Sequence, residues 1–308
     1  MNSFSQLHSL ENRLQILEFL KTKRNQQWDS QNLDKFWHTS RMLQSITHFV
    51  IKKKLFIHND FKNKVIMANF SQKKKTIVEY YEVWVDENLS FNEIQLLCQS
   101  LLEIFKINTS CGKNSYLLCM PKVIKDEIIK EYSKYETNVA FLKKSDNYFF
   151  NYHNNQSNNL SNENYLPSKV GFEIQRIPIE NTENVVKNWK FGSIADKNWV
   201  EYSISHFPSL GIWDVSNSKM VGQFIYLQTG LFGSLHIDDE YRGKGLATML
   251  IHGMVEEVKS RNMDMMVVID DDNIVSKNIF QKLNFQKISE STYIALAKDN
   301  ILYSGSDF

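Results

Sequence analysis

Cysteine is scarce in this chain, net charge is almost absent, and long apolar runs are missing; each gap removes a class of protein. Only Cys98, Cys111 and Cys119 occur among 308 residues. They have neither metal-ligand spacing nor the arrangement of a disulfide framework, which fits a reducing compartment. Cys98 falls in an apolar helical stripe and reads as a buried thiol rather than a nucleophile. The formal charge is +1, so there is no global electrostatic case for binding nucleic acid or an anionic membrane. No apolar stretch approaches the roughly 20 residues of a membrane span. The N-terminus carries Glu11 and Glu18 and lacks a secretory signal's apolar core. Leu7, Leu10, Leu14 and Leu17 read instead as the buried face of a folded helix. The expected location is the cytoplasm, with the mitochondrial matrix as the alternative, and no metal is expected. Lys52-Lys53-Lys54 and Lys73-Lys74-Lys75 lie near expected strand ends and read as a solvated face or turn.

What is present suits a globular protein: 42% hydrophobic and 23% charged residues in a length that allows one large or two ordinary domains. From Asn151 to Asn164, seven of fourteen residues are asparagine, a composition that buries little and favours turns. The expected division is an α/β domain at 1–150, a linker at 151–169 and a second domain at 170–308. In the first half, Leu7–Leu20 predicts a helix. His48–Ile57, Val65–Phe70 and Thr76–Val85 predict strands. Ser90 and Glu93 form a capping box before a helix carrying Ile94, Leu97, Cys98, Leu101 and Phe105. A strand at Tyr116–Met120 and a helix from about Lys125 follow. His38, His48 and His58 have no metal-ligand logic and read as structural or surface histidines.

The second half reads as β-α-α-β-β-β-α-β-α-β. Strand Gly171–Ile177 precedes helices around Thr182–Trp189 and Asp196–Phe207. Strands Leu210–Val215, Met220–Leu227 and Leu231–Ile237 follow. A helix runs from about Gly243 to Arg261, then come the apolar strand 265–269, a helix carrying Val275, Ile279 and Leu283, and a strand near Ser291–Ala297. The fold class is α/β with a mixed sheet.

Between the third of those strands and the long helix stands Arg242-Gly243-Lys244-Gly245. A helix N-terminus exposes unpaired N–H groups and a partial positive charge. Glycine lets an anion approach that backbone, and two cations add charge of the same sign. The stretch suits a phosphate or pyrophosphate; a tight turn alone would also explain the glycines. No P-loop string occurs, and Thr248 stands where a dinucleotide fingerprint needs Gly or Ala.

Arg242-x-x-Gly245-x-Ala247 resembles the signature of the GNAT acyltransferase superfamily. Residues 270–285, DDDNIVSKNIFQKLNF, resemble its second motif, with Asn284 in place of a glycine. Residues 188–214, with Trp189-x-Phe191-Gly192 and Phe207-Pro208, together with LQTG at 227–230, are similar to the glycine N-acyltransferase family. That resemblance is good from about Gly171 to Phe285 and implies a GNAT fold in the C-terminal half. In that family the N-terminal half is a degenerate copy of the same fold, with which the β-β-α-β reading of residues 65–120 is compatible.

The resemblance implies acyl-coenzyme A as co-substrate and a small amine as partner, with glycine or a related amino acid as the leading acceptor, acylated directly with no covalent enzyme intermediate. The main chain of Leu235, His236 and Ile237 would bind the pantetheine arm. The amides of Gly243, Lys244, Gly245, Leu246, Ala247 and Thr248, with Arg242 nearby, would hold the pyrophosphate. Asn273 would touch the cofactor arm, or cap the following helix, and Phe280 would line the site. The family's glutamate position, the presumed base, is Leu231, and the superfamily's frequent tyrosine acid is Phe280. His236 is the remaining candidate base; water and backbone carbonyls could relay the proton instead. Alternatives are acetylation of a protein or other amine, and a non-catalytic coenzyme A binder. Asp270-Asp271-Asp272 could attract a cationic acceptor, but a solvated turn is the favoured reading.

Overall fold

A computed structural model describes residues 4–7, 9–29, 33–49, 53–58, 64–73, 77–86, 88–110, 114–120, 122–132, 139–151, 169–192 and 197–296. The first half runs β1 (Phe4–Gln6), α1 (Leu10–Asp29), α2 (Leu33–Phe49), β2 (Lys54–His58), β3 (Val65–Lys73), β4 (Ile77–Val85), α3 (Phe91–Ser110), β5 (Asn114–Met120), α4 (Lys122–Tyr132) and β6 (Val139–Phe150). The second runs β7 (Phe172–Arg176), α5 (Thr182–Lys187), α6 (Lys197–His206), β8 (Ser209–Asp214), β9 (Lys219–Tyr226), β10 (Phe232–Ile237), α7 (Leu246–Ser260), β11 (Met265–Asp270), α8 (Ile274–Lys282) and β12 (Gln286–Leu296). Both halves share one order, β-α-α-β-β-β-α-β-α-β, although no close sequence repeat links them.

Two compact units result, and their border does not follow the midpoint. One joins Met1–Asn147 to Ile288–Tyr303, and the other is built on Tyr148–Lys287. Most of β12 therefore belongs to the first unit, where it pairs antiparallel with β5, Thr292 opposite Met120 and Leu296 opposite Ser115. The strand order in the first unit is β1-β2-β3-β4-β5-β12, and in the second β11-β10-β9-β8-β7.

Side chains alternate across a strand, so each sheet face receives its own helices. In the first unit Val65, Met67, Tyr81 and Val83 pack with Leu97, Cys98 and Leu101 of α3 and Ile124 and Ile128 of α4. The residues between them, Ile66, Ala68 and Trp84, pack with Ile16 and Leu20 of α1 and Met42 and Ile46 of α2. In the second unit Ile177, Val185, Val200, Ile204 and Ile225 form the layer with α5 and α6. There α7 buries Leu246, Met249, Leu250, Met254 and Val258. Cys98 is fully buried, and burial pushes its thiol up to about 12, so it is inert.

Several expectations are corrected. Of the expected α1 stripe, Leu17 packs with Ile16 and Leu20, Leu7 is buried with them but precedes the helix, and Leu14 is exposed. His48 belongs to helix α2, which continues to Phe49, and the strand begins only at Lys54. Thr39, Ser40, Arg41, Gln44 and Ser45 are all buried in α2, and this polarity masks the helical period. Strand β6 escapes sequence reading for the same reason. Its buried Asn147 bonds Ser289 and Ser291 of β12, each at 2.8 Å. Lys53 is no solvated turn residue: it is fully buried and pairs with Glu82 at 2.7 Å, with Arg41 on the other carboxylate oxygen at 3.3 Å. Burial raises the Glu82 pKa, but Lys53 and Arg41 outweigh it and hold the carboxyl below its usual range. Val275 is exposed at the start of α8. His38 is buried, and desolvation with Arg41 nearby lowers it to about 3, as befits a structural histidine. Of the expected linker, 152–168 lie outside the described residues.

Candidate functional site

In the second unit the parallel neighbours β10 and β11 meet at one position among the described residues, Phe232 with Val267. Beyond it they part. On its other edge β10 stays paired with β9, but the register shifts between Gly233 and His236, and Ser234 inside that bulge has φ 57°. The edge of β10 facing the gap thus has no β11 partner beside Leu235, where an extended ligand could pair, while His236 stays in register with Gln223 of β9 and the Ile237 carbonyl is taken by Arg242.

Strand β10 leads through a short turn at Asp239–Tyr241 into Arg242–Gly245 and α7. Gly243 and Gly245 take φ of 75° and 76°, a region that L side chains adopt only with strain. Gly245 is the N-cap and offers no side chain. Arg242 N–H donates to Asp239 at 3.2 Å, and Met249 N–H to Gly245 at 3.1 Å. Between them, among the described residues, the N–H groups of Gly243 to Thr248 engage no acceptor. The turn is neither packed shut nor internally bonded, so it can seat an anion.

Cations surround it. Lys244 lies 4.7 Å from the Tyr241 ring centre, and the Tyr241 hydroxyl donates to Asp214 at 3.0 Å. Lys169, missed in sequence reading, brings Nζ to 3.6 Å from where a Cβ on Gly245 would stand. Arg242 pairs with Asp239 at 2.7 Å, and its Nε donates to the Ile237 carbonyl at 3.0 Å, bracing the turn against the end of β10. Lys219 pairs with Asp238 and Glu240, which partly offsets their negative charge beside the seat.

The candidate catalytic side chains are dispersed. His236 is partly buried, with Nε2 3.2 Å from Asp238 Oδ1. Leu231 is buried, and its carbonyl closes the β9–β10 hairpin by accepting from Leu227 at 2.7 Å. Phe280 is buried against Phe285 and Phe224, with ring centres 4.9 and 6.2 Å away. Neither can carry a proton. Asn273 caps α8, its Oδ1 accepting from Ser276 N–H at 3.1 Å. Asp270 pairs with Lys190 at 2.9 Å, while Asp271 and Asp272 are exposed as a solvated turn would be. In the Trp-x-Phe-Gly element, a Cβ on Gly192 would run into the Val186 carbonyl, so the glycine serves a close backbone approach after α5. Among the described residues no group of three His, Cys, Asp or Glu is placed to hold a metal, and no helix is long and apolar enough to cross a membrane.

Comparison with known proteins adds the fold's relatives. The X-ray structure of a Drosophila protein matches with TM-score 0.72 at 13% identity, covering 97% of this chain and 99% of that one. A tandem GNAT protein from the clavulanic acid biosynthesis pathway matches with TM-score 0.57 at 11% identity, covering 96% and 98%. The fold is the GNAT fold. A putative acetyltransferase from Pyrococcus horikoshii is similar at TM-score 0.56 and 11% identity, covering 97% and 91%. The model of the FR47-like protein family matches residues 209–294, which hold the GNAT-fold strands β8 to β11 and both motifs. No curated protein sequence matches.

Proposed function

We propose that this chain is an N-acyltransferase that moves an acyl group from acyl-coenzyme A to the amine of a small acceptor, glycine or a related amino acid. The observation that carries the reading is the run of unengaged N–H groups from Gly243 to Thr248, set at the end of a strand that has parted from its parallel neighbour. A diphosphate fits the first, and a strand-like amide arm fits the second. The tandem GNAT relative, whose name gives its state as without AcCoA, supports the choice of thioester. The Trp189–Gly192 and Phe207-Pro208 elements favour an amino-acid acceptor.

In this reading the β10 edge aligns the thioester, and the main-chain N–H of Leu235 polarises its carbonyl. Positioning supplies much of the rate, because Leu231 and Phe280 offer no proton-transfer group. His236, braced by Asp238, takes the acceptor's proton. Incubation with a panel of acyl-coenzyme A donors and amino acids should release free thiol and yield N-acyl products by mass spectrometry. Product on a protein amine alone would move the acceptor class, and absence of thiol release with every donor would overturn catalysis. The buried Leu231 and Phe280 favour one second reading, a coenzyme A binder without turnover. Calorimetric binding without thiol release would establish it.

A further inference from the structure

Gln223 is polar in an otherwise apolar buried stretch of β9, and it is fully buried. Its Nε2 donates to the main-chain carbonyl of Val185 at 2.9 Å and to Ser234 Oγ at 2.7 Å. A carbonyl can only accept, so the atom facing Val185 must be the amide nitrogen, and the amide cannot be turned round. Ser234 Oγ is then the acceptor in its bond with Gln223, and its own proton must point elsewhere. Among the described residues Ser234 Oγ makes no second hydrogen bond. Meanwhile Gln223 Oε1 is buried without a partner, an unfavourable arrangement for an amide kept only for stability. Ser234 also holds φ 57°, which glycine would adopt with less strain. It sits in the bulge of β10, just past the one point of pairing with β11. Strain, a fixed donor and an unpaired buried oxygen coincide where the strands part.

We infer that the Ser234 hydroxyl is a catalytic donor to the thioester carbonyl oxygen, acting beside the Leu235 amide, and that Gln223 is the positioning residue that aims its proton. The inference rests on the acyl-transfer reading. As the acceptor nitrogen bonds to the carbonyl carbon, the carbonyl π pair moves onto oxygen, where the two donors hold it. When that pair returns, the carbon–sulfur bond breaks and sulfur leaves with its electrons. The proton lost by nitrogen ends on sulfur, giving amide and free thiol. Ser234 donates a hydrogen bond throughout and keeps its proton.

The test compares calorimetric binding of acetyl-coenzyme A and free coenzyme A to the full chain, together with thiol release from acetyl-coenzyme A with glycine. The parent protein should bind the thioester about three- to tenfold more tightly than the free thiol, the size of one hydrogen bond. Ser234→Gly, which suits the positive φ and so should fold, should lose that preference, keep its affinity for free coenzyme A within about twofold, and lower kcat about 10- to 100-fold. Gln223→Leu should do the same with the serine intact, and the double variant should be no worse than either single one. A thioester preference that survives Ser234→Gly, with coenzyme A still bound, overturns this inference alone. A parent protein that binds neither compound overturns the acyl-transfer reading and this inference with it.

Discussion

The segments that join β4 to α3 and β10 to α7 occupy the same place in the repeated element order, yet they treat the helix N-terminus in opposite ways. Before α3, Ser90 Oγ accepts from Glu93 N–H at 3.3 Å, and Glu93 returns a carboxylate oxygen to Ser90 N–H at 2.7 Å. Lys64 holds the same carboxylate at 2.9 Å. Before α7 two glycines offer no side chain, and the N–H groups stay open. The strands differ in the same sense. β4 pairs with β5 at five consecutive positions, from Val78–Asn114 to Glu82–Leu118, whereas β10 meets β11 at one. One unit has its cleft zipped and its helix capped by its own acid; the other leaves both open. The same element order thus leaves the first-turn N–H groups capped in one unit and unengaged in the other, so the fold alone does not settle what they do.

The strongest test of that contrast is Glu82→Ala. Glu82 and Ser234 each stand three residues before the end of their strand, but Glu82 is locked between Lys53 and Arg41. Its removal leaves two buried cations without their carboxylate and should cost about 3–5 kcal/mol in denaturant unfolding. Next comes Gly245→Glu, which combines a positive φ with a carboxylate over the anion seat. The Kd for coenzyme A should rise at least about 100-fold by calorimetry, and an unchanged Kd would refute the placement of the seat. Ser90→Ala should cost about 1 kcal/mol of stability and leave that Kd alone, since the capped helix plays no part in it.

Acid should sharpen the same comparison. The Lys64 and Ser90 hydrogen bonds hold the Glu93 carboxyl at about 2, below its ordinary 4.5. A lowered folded pKa contributes stability above pH 4.5 that is lost as pH falls toward 2. Glu93→Gln should therefore flatten the decline in thermal midpoint over that range. The smallest effect belongs to Arg242→Ala. Its guanidinium already serves Asp239 and Ile237, so coenzyme A binding should weaken only several-fold at low salt, and less at high salt.

The turn at 242–248, the capping box and the order of elements from β7 to α8 are legible in the sequence because each rests on local chemistry: glycine spacing, a reciprocal cap, apolar periodicity. The bulge at Ser234 is not, since serine gives no sign of a left-handed backbone. Lys53 and α2 mislead because polar residues that meet buried partners look like solvated ones until those partners are known. Gln223 carries the one faint signal that could have been read, a lone amide in an apolar strand. The strand β12 reads correctly as a strand, but its partner in the first unit depends on pairing between distant segments.

That pairing has a consequence for how the molecule is made. β5 leaves the ribosome long before β12 exists, and until β12 arrives one side of β5 is a bare edge, open to strands of other nascent chains. The half synthesised first is therefore completed only after translation has passed the half synthesised second.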